Sequence, residues 1–302
     1  MTKLRIIFLS IGLSFCFAGI SQAAGVVGTG TPLSCDEAAF DAALVGGGLI
    51  TFDCGLAPHT ITFTSAKIIS VATTIDGNSL ITLSGGNTTK LFYVFSGASF
   101  NANDLTLSNG TCAIFENGAA VSFTGPGASG SFDGVTFSNN QCVNIGGALY
   151  AADAGLIINN STFDGNSAPT SGVGGLYLLA STAAISNTVF SNNSAQDNAA
   201  LGLVSGSTAN IERSYFFQNS SPGSSVLEVQ AGNSAVISLS NFYQNSGGLA
   251  VVNSGGSLSI ARSSFYDNSS GVIIHNTGNL TLTNSTIGGN DLSANLSAIN
   301  IA

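Results

Sequence analysis

The sequence predicts an all-β protein: a single-stranded, right-handed parallel β-helix (a solenoid) of about ten coils with a short N-terminal capping helix. Two observations favour this fold. The phrase Phe-x-x-Asn recurs along the chain at a narrow period, and apolar residues alternate with polar ones ahead of each copy. A repeat of roughly 20–50 residues indicates a stacked architecture, and a period of two indicates strands with one buried face.

Seven copies of the phrase follow one another, the last with Ile in place of Phe. They are Phe137/Asn140, Phe163/Asn166, Phe190/Asn193, Phe216/Asn219, Phe242/Asn245, Phe265/Asn268 and Ile287/Asn290. The intervals are 26, 27, 26, 26, 23 and 22 residues, and Leu107 begins a degraded copy 30 residues earlier. Such a unit cannot bury both faces alone, so its strands must pair with those of neighbouring units at ~4.8 Å.

Both halves of the phrase have a structural role in this stack. The apolar residue that begins each copy of the phrase is expected to stack on its counterparts in one buried ladder. Aromatic stacking adds roughly 0.5–1.5 kcal/mol per pair there. The Asn is expected at the following bend, where it tolerates left-handed backbone angles and bonds its neighbour in the next coil. A ligand-binding strip of asparagines is the functional alternative. An antiparallel sandwich is the alternative fold, but it would need hairpins and strands at roughly 8–12-residue spacing.

A second column of apolar residues lies five positions before the ladder. Its members are Phe132, Ile158, Ile185, Ile211, Ile237, Ile260 and Leu282. A further short strand opens each unit, as in "GGALYAA" and "GGLYLLA", and from Gly46 onward no segment holds helical spacing for three turns. Each coil therefore contains two or three strands separated by Asn, Gly and Ser turns.

The N-terminus predicts export. Lys3 and Arg5 precede an apolar run from Ile6 to Ile20, and the small residues that end at Ala23 suit a signal peptidase. This pattern is typical of a secretory signal peptide, and the run is short for a membrane span of about 20 residues. A lipoprotein signal at Cys16 is the alternative. We expect a signal peptide at residues 1–23, an N-terminal cap at 24–48 and β-helix repeats at 49–302, with a C-terminus that is uncapped or truncated.

The cap is expected to contain one short helix. Ser34 and Glu37 have the spacing of a capping box, with Ser34 as N-cap, and residues 38–44 favour a helix before Gly46–Gly48 end it. A helix at this position would cover the open edge of the first coil, which otherwise is a template for aggregation.

The charge balance excludes several partners. Without residues 1–23, four basic residues remain against fifteen acidic ones, a net charge of −11. Nucleic acids and anionic lipids need clustered Lys and Arg, so we expect neither as a partner.

Four cysteines remain after residue 23, an even number that favours disulfides in an exported protein. Cys112 lies five residues after Leu107 and Cys142 five after Phe137, so both occupy the same position in adjacent coils, within disulfide range. Cys35 and Cys54 flank the cap helix and would tie it to the first coil. Zinc binding is the alternative, but there is no Cys-x-x-Cys pair, and His59 and His275 are distant in sequence.

A search for catalytic groups finds no convergent set. Arg213 and Arg262 both lie three residues before a ladder aromatic, with Leu239 at that position between them. Their carboxylate neighbours are limited to Glu212 and Glu228. This gives a base without a metal cluster, whereas lyases and hydrolases of this fold need clustered carboxylates.

Three aspartates come from adjacent coils, but their offsets differ. Asp133, Asp153 and Asp164 stand at −4, −10 and +1 from the nearest ladder Phe, which places them in three columns. We interpret them as solvated surface groups. We therefore assign no catalytic, cofactor-binding or metal-binding residue. An ice-binding face would need a regular Thr column, and the Thr281–Thr283 pair is isolated.

The repeats resemble those of a known family. Gly146–Leu149 with Phe163–Asn166, then Gly174–Leu176 with Phe190–Asn193, look like the repeats of the polymorphic outer membrane proteins, which are chlamydial-type β-helix passengers. The likeness covers roughly residues 130–290, and the cap is similar to that of many bacterial right-handed β-helix exoproteins. The resemblance implies an outer-membrane or extracellular location and a role in adhesion. This chain lacks the C-terminal membrane barrel of full-length members.

The sequence therefore predicts an exported cell-surface or secreted β-helix with an adhesin-like or autotransporter-passenger role, which binds or displays without catalysis and without a cofactor. The expected partner is a host-cell or extracellular glycan or protein receptor, with outer-membrane association through a missing C-terminal segment. The alternative is a polysaccharide lyase or glycoside hydrolase of the pectate-lyase-like class, because that fold hosts both kinds of protein.

Overall fold

The computed structural model describes residues 25–292 and 298–301, without the side chain of residue 301. The proposed signal peptide lies outside the described residues. The described residues contain one α-helix, α1 (Glu37–Leu44), and one short 3₁₀ turn (Pro32–Ser34). Both lie between β1 and β2, and the other regular elements are strands. In chain order the strands are β1 (Gly25–Val27), β2 (Gly48–Phe52), β3 (His59–Thr62), β4 (Lys67–Ile69), β5 (Thr73–Ser84), β6 (Phe92–Phe95), β7 (Ser99–Ser108), β8 (Thr111–Cys112), β9 (Val121–Asp133), β10 (Thr136–Ser138), β11 (Gln141–Cys142), β12 (Leu149–Asn159), β13 (Thr162–Asp164), β14 (Ser167–Ala168), β15 (Leu176–Leu179), β16 (Thr182–Ser186), β17 (Val189–Ser191), β18 (Ser194–Ala195), β19 (Asn198–Val204), β20 (Thr208–Glu212), β21 (Tyr215–Phe217), β22 (Ser220–Gln230), β23 (Ser234–Ser238), β24 (Asn241–Tyr243), β25 (Ser246–Ser254), β26 (Ser257–Ala261), β27 (Ser264–Tyr266), β28 (Ser269–Asn276), β29 (Asn279–Thr283), β30 (Thr286–Ile287), β31 (Asp291–Leu292) and β32 (Ile299–Ile301).

These strands pair in parallel, coil upon coil, into a β-helix of about ten turns, as the sequence predicts. Three long faces result. Sheet A runs from β1 and β2 to β29 and contains β16, β20, β23 and β26. Sheet B runs from β3 to β30 through the strands that carry the ladder aromatics, and sheet C runs from β4 and β6 to β28 and β32. Long strands such as β9 and β12 bend and belong to sheets A and C in turn.

The aromatic ladder forms in the expected register inside sheet B. Leu107 pairs with Phe137, Phe137 with Phe163, and the series continues to Phe265 and Ile287. From Phe137 to Phe265 the neighbouring rings are stacked with centroids 4.4–4.8 Å apart. The second predicted column, from Phe132 to Leu282, is also aligned, in sheet A. Both columns point inward and fill the core.

The asparagines of the phrase form a buried ladder, but the prediction of their backbone angles was wrong. Asn193 donates its side-chain amide to Asn219 Oδ1 (3.0 Å) and to the carbonyl of Phe163 (2.9 Å). The left-handed residue is the one before it: Asn192 has φ 54°, and Gln218 and Gln244 repeat this one and two coils later. At each bend the left-handed residue faces solvent and the following Asn points into the β-helix. There its side-chain amide donates to backbone carbonyls that turn away from the sheets.

The cap is built as expected in outline but not in its capping residue. Asp36, not Ser34, is the N-cap of α1, since its carboxylate accepts the amide of Ala39 at 2.8 Å. Ser34 instead bonds the Thr31 carbonyl and the Thr29 amide. Glu37 is freed from the predicted capping box and bonds outside the helix.

The carboxylate of Glu37 joins the cap to the first coil, at the turn between β3 and β4. It accepts hydrogen bonds from the amide and hydroxyl of Thr64 and from Lys67 Nζ at 2.6 Å, and Lys67 also pairs with Asp41 at 2.6 Å. Burial alone would raise the pKa of Glu37, but the bonds from Lys67 and Thr64 and the charge of Lys67 outweigh it and lower the pKa to about 2. The lysine is buried, so this pair is internal to the protein.

Both predicted disulfides are present. Cys35–Cys54 joins the cap to the first coil, with Cα atoms 5.6 Å apart, and Cys112–Cys142 joins adjacent coils at 4.9 Å. Strand β1 already pairs with β2, so the stack begins within the segment expected to be cap alone. Among the residues described, no helix is long and apolar enough to cross a membrane.

Candidate functional site

The two arginines singled out by the sequence lie at the corner between sheets A and B. Arg213, Leu239 and Arg262 all have left-handed backbone angles (φ 48°, 53° and 50°), in keeping with one turn position in successive coils. Arg213 Nη1 pairs with Glu212 Oε1 at 2.7 Å on the surface. Glu228, expected as a neighbour, lies instead on β22 of sheet C. The group described at this corner is thus a surface ion pair between neighbouring residues of one coil.

The three aspartates do not converge, as their offsets indicate. Asp133 accepts a bond from Asn160 at 2.7 Å, and Asp164 accepts bonds from Ser191 and Asn192, each at 2.7 Å. These are bonds between consecutive coils along the surface. Within residues 25–292 and 298–300, no group of three or more His, Cys, Asp or Glu is arranged to hold a metal ion.

A cleft of about 380 Å³ on sheet C brings two other carboxylates together. It is lined by Tyr177, Asp197 and Glu228, among others. Glu228 accepts the side-chain amide of Asn198 (2.9 Å) and the hydroxyl of Ser254 (2.7 Å), while Asp197 accepts the amide of Gly172 (2.7 Å). Burial raises the pKa of Tyr177, and Tyr150 and the two nearby carboxylates raise it further. Sequence analysis missed this cleft because its carboxylates come from different turns.

A second cleft on this side, of about 310 Å³, contains a lysine. Lys90 Nζ donates to the carbonyl of Asn117 at 2.7 Å and lies 3.9 Å from the centre of the Tyr93 ring. Burial lowers the pKa of Lys90 to about 8, although Glu116 partly opposes the shift. Burial and the hydrogen bond to Glu116 (2.5 Å) raise the pKa of Tyr93 to about 12. Only 2% of Lys90 is exposed, so its amine faces protein groups and is closed to a polymer.

Sheet A carries a wide, shallow groove of about 800 Å³ across six coils. Its lining is uncharged and consists of small residues such as Ser129, Gly155, Thr182 and Thr208, with Ile157 and Val236 as its larger members. This floor can accept only an uncharged ligand without burying an unpaired charge.

Sheet B carries an exposed group of rings, which we call the aromatic patch: Tyr215, Phe217, Tyr243 and Tyr266. Phe217, Tyr243 and Tyr266 stand one above another in adjacent coils, with centroids 5.0 and 5.1 Å apart and planes 12° and 1° from parallel. Tyr215 lies on the same face of β21 and is 44% exposed, and Tyr266 is 39% exposed. Exposed aromatic clusters of this kind mark binding surfaces more often than isolated apolar residues do.

The geometry of the patch limits what it can bind. Within the stack each ring covers the face of the next, so the outer surface consists of ring edges and phenol hydroxyls. The last ring differs, because Gly288 stands beyond Tyr266 in the next coil, and among the described residues nothing lies within 4 Å of the place where a side chain of residue 288 would be. No side chain at position 288 therefore covers the outer face of Tyr266. The signal was in the sequence, since Phe217, Tyr243 and Tyr266 each directly follow a ladder Phe and Tyr215 directly precedes one, so all four point outward.

Comparison with known proteins establishes the fold. Neither the protein families nor the curated proteins searched give a match. Among solved structures, the chain is similar to an alginate lyase from Paenibacillus sp. str. FPU-7 (TM-score 0.54, 14% identity, 91% of this chain and 99% of the other). It also matches pectate lyase Pel9A (0.45, 14%, 83% and 73%) and PfbA, a surface adhesin of Streptococcus pneumoniae (0.38, 12%, 92% and 93%). The likeness to the alginate lyase agrees with the parallel β-helix fold described above and concerns the fold alone.

Proposed function

We propose that the chain is an exported, surface-displayed β-helix that binds an extracellular uncharged glycan through the aromatic patch, without catalysis. The patch carries this proposal: four rings from three consecutive coils present hydroxyls, ring edges and the outer face of Tyr266 at a solvent-exposed surface. Phenol groups combine an apolar body with a hydrogen-bond donor, a combination that suits sugars, which have both hydroxyls and apolar C–H faces.

The charge distribution supports an uncharged ligand. Of the four basic residues after residue 23, Lys67 and Lys90 are buried against protein groups, and Arg213 pairs with Glu212. The chain has fifteen acidic side chains and few unpaired basic ones, so its surface would repel a polyanion such as a polyuronate. Disulfides at both predicted pairs support an oxidising, extracellular setting. We further propose that the repeats belong to the polymorphic outer membrane protein type and are held at the outer membrane by a segment beyond this sequence.

Binding to an array of neutral and charged glycans tests the proposal. The purified mature chain should bind neutral pyranose chains, and Tyr266→Ala and Tyr243→Ala should each weaken this binding at least tenfold. Phe95→Ala, an exposed ring on sheet C, is the matched control and should leave it unchanged. Binding restricted to polyanions, or binding that survives both tyrosine substitutions, would contradict the proposal.

The second candidate function is polysaccharide cleavage, favoured by Asp197 and Glu228 in one cleft with Tyr177. Paired carboxylates are the groups that glycosidases use as acid and base. We expect no release of reducing or unsaturated ends from pectin, alginate or neutral glucans, with or without calcium. Cleavage abolished by Asp197→Asn or Glu228→Gln would establish a hydrolase, and cleavage abolished by Arg213→Ala or Arg262→Ala would establish a lyase.

A further inference from the structure

A short loop between β8 and β9 exposes two large apolar side chains. We call residues 113–116 the apolar tip: Ala113, Ile114, Phe115 and Glu116. Ile114 is 69% exposed and Phe115 is 89% exposed. The loop of the next coil contains Val143 and Ile145, but both are partly buried, and the loop one coil further on, residues 170–172, carries small or polar residues.

The tip is held rigidly at its base. Glu116 N donates to the Ala113 carbonyl (3.1 Å), and Ala113 N donates to Glu116 Oε2 (3.0 Å), which closes a four-residue turn. The other oxygen of that carboxylate accepts the hydroxyl of Tyr93. The disulfide Cys112–Cys142 begins the loop, and Lys90 Nζ holds the carbonyl of Asn117 directly after it. Because these contacts fix the backbone of the loop, little conformational entropy of the loop is lost when its side chains bind a partner.

Phe115 has a backbone angle that its side chain does not favour. Its φ is 73°, in the left-handed region where glycine is the usual residue and a bulky one is an outlier. Glycine would fit this turn with less strain and would also remove an exposed apolar ring from water. A strained position held by its surroundings is a sign of a functional constraint. Neither packing nor backbone geometry accounts for the phenylalanine.

We infer that the apolar tip is a docking point that inserts Phe115 and Ile114 into an apolar pocket of a protein partner with a basic rim. An aromatic anchor presented by a rigid element is the usual centre of a protein interface. The basic rim follows from charge, because Glu116 adjoins the ring, the one nearby amine is buried, and the chain after residue 23 has a net charge of −11. This site is separate from the aromatic patch and does not depend on the glycan proposal.

The probe is a phage library of a folded scaffold protein with a randomised concave face, selected on the disulfide-bonded mature chain. Clones should be enriched in Lys or Arg flanking aliphatic or aromatic residues, and their affinity should fall as salt rises. Phe115→Gly should weaken binding of these clones at least tenfold while unfolding at the same or a higher temperature than the parent. Ile114→Ser should have a smaller effect in the same direction. Leu56→Ser, which alters a side chain that is 99% exposed elsewhere, should have none.

Four outcomes would overturn the inference. The first is selected clones that bind Phe115→Gly as tightly as the parent, and the second is clones without basic enrichment. The third is sedimentation with phosphatidylcholine vesicles that requires Phe115, which would assign the tip to a lipid surface. A large drop in melting temperature for Phe115→Gly would instead assign the ring a structural role. Glycan binding by the same variant shows that the rest of the molecule is intact.

Discussion

The first coils and the repeated coils pack the same kind of residue in different ways. Between the cap and the first coils, the rings of Phe40, Phe63 and Phe92 meet at angles from 44° to 88°, and only the more distant Phe40–Phe52 pair, at 6.3 Å, is near parallel at 18°. From Phe137 to Phe265 the rings lie within 12° of parallel. Where the sequence repeats, coil stacking imposes a parallel stack; where it does not, rings from different positions must interlock. The first coils are further held by a disulfide and by the Glu37–Lys67 pair.

The largest expected effect is on the repeated coils. Phe190→Ala should lower the free energy of unfolding by about 3–5 kcal/mol, because it empties the centre of a ladder whose neighbouring rings are 4.7 and 4.8 Å away. Chemical denaturation followed by circular dichroism measures it. Phe95→Ala, at an exposed position, should stay within about 0.5 kcal/mol of the parent. Equal stability of both variants would break the stacking explanation.

The next effect is at the junction of the two regions. Replacing Cys112 and Cys142 together by Ala should lower the free energy of unfolding by about 3–4 kcal/mol, since the bridge closes a loop of 30 residues. Peptide mapping without reduction should first recover the two cysteines linked. Free thiols at both positions in exported protein would contradict the assignment.

The asparagine ladder should contribute less per residue. Asn193→Ala removes the acceptor of Asn166 and the donor to the Phe163 carbonyl, and we expect a loss of about 2–3 kcal/mol from these unsatisfied buried groups. Asn192→Gly is the matched control, because glycine accepts the same left-handed angle while the exposed amide is lost. If the control destabilised the protein more than Asn193→Ala, the bend and not the ladder would be the stabilising part.

The smallest effect concerns the cap and depends on pH. The pKa of Glu37 is about 2 in the folded protein and near 4.5 when unfolded, so its contribution is complete above about pH 4.5 and disappears as the pH falls towards 2. Glu37→Gln should cost about 1–2 kcal/mol at neutral pH, because Asp41 still pairs with Lys67. Thermal melts from pH 6 to 2 should be flatter for Glu37→Gln than for the exposed control Glu212→Gln. If the melting temperatures of the two variants fell in parallel as the pH was lowered, the Glu37 carboxylate would not contribute to stability in acid.

The repeat made most of the fold predictable, because a fixed period aligns like residues whatever the rest of the coil contains. Phe190 and Cys142 could be placed in register by counting alone. The cap residue could not, since Ser34 and Asp36 are both good N-caps and only the positions of Thr64 and Lys67 decide where Glu37 bonds. The aromatic patch could have been predicted from the residues directly before and after the ladder Phe of each coil, since these point outward.

The sequence by itself determined the parallel β-helix, its inward columns and both disulfides, because these depend on spacing along one chain. The tertiary structure decided which surface groups meet: Asp197 with Glu228 and Tyr177, Lys90 with Asn117, and the base of the apolar tip with Tyr93. The reason is that turn lengths vary between coils. Residues at corners and loops therefore leave the common register, and their neighbours are set by the path of the backbone in three dimensions.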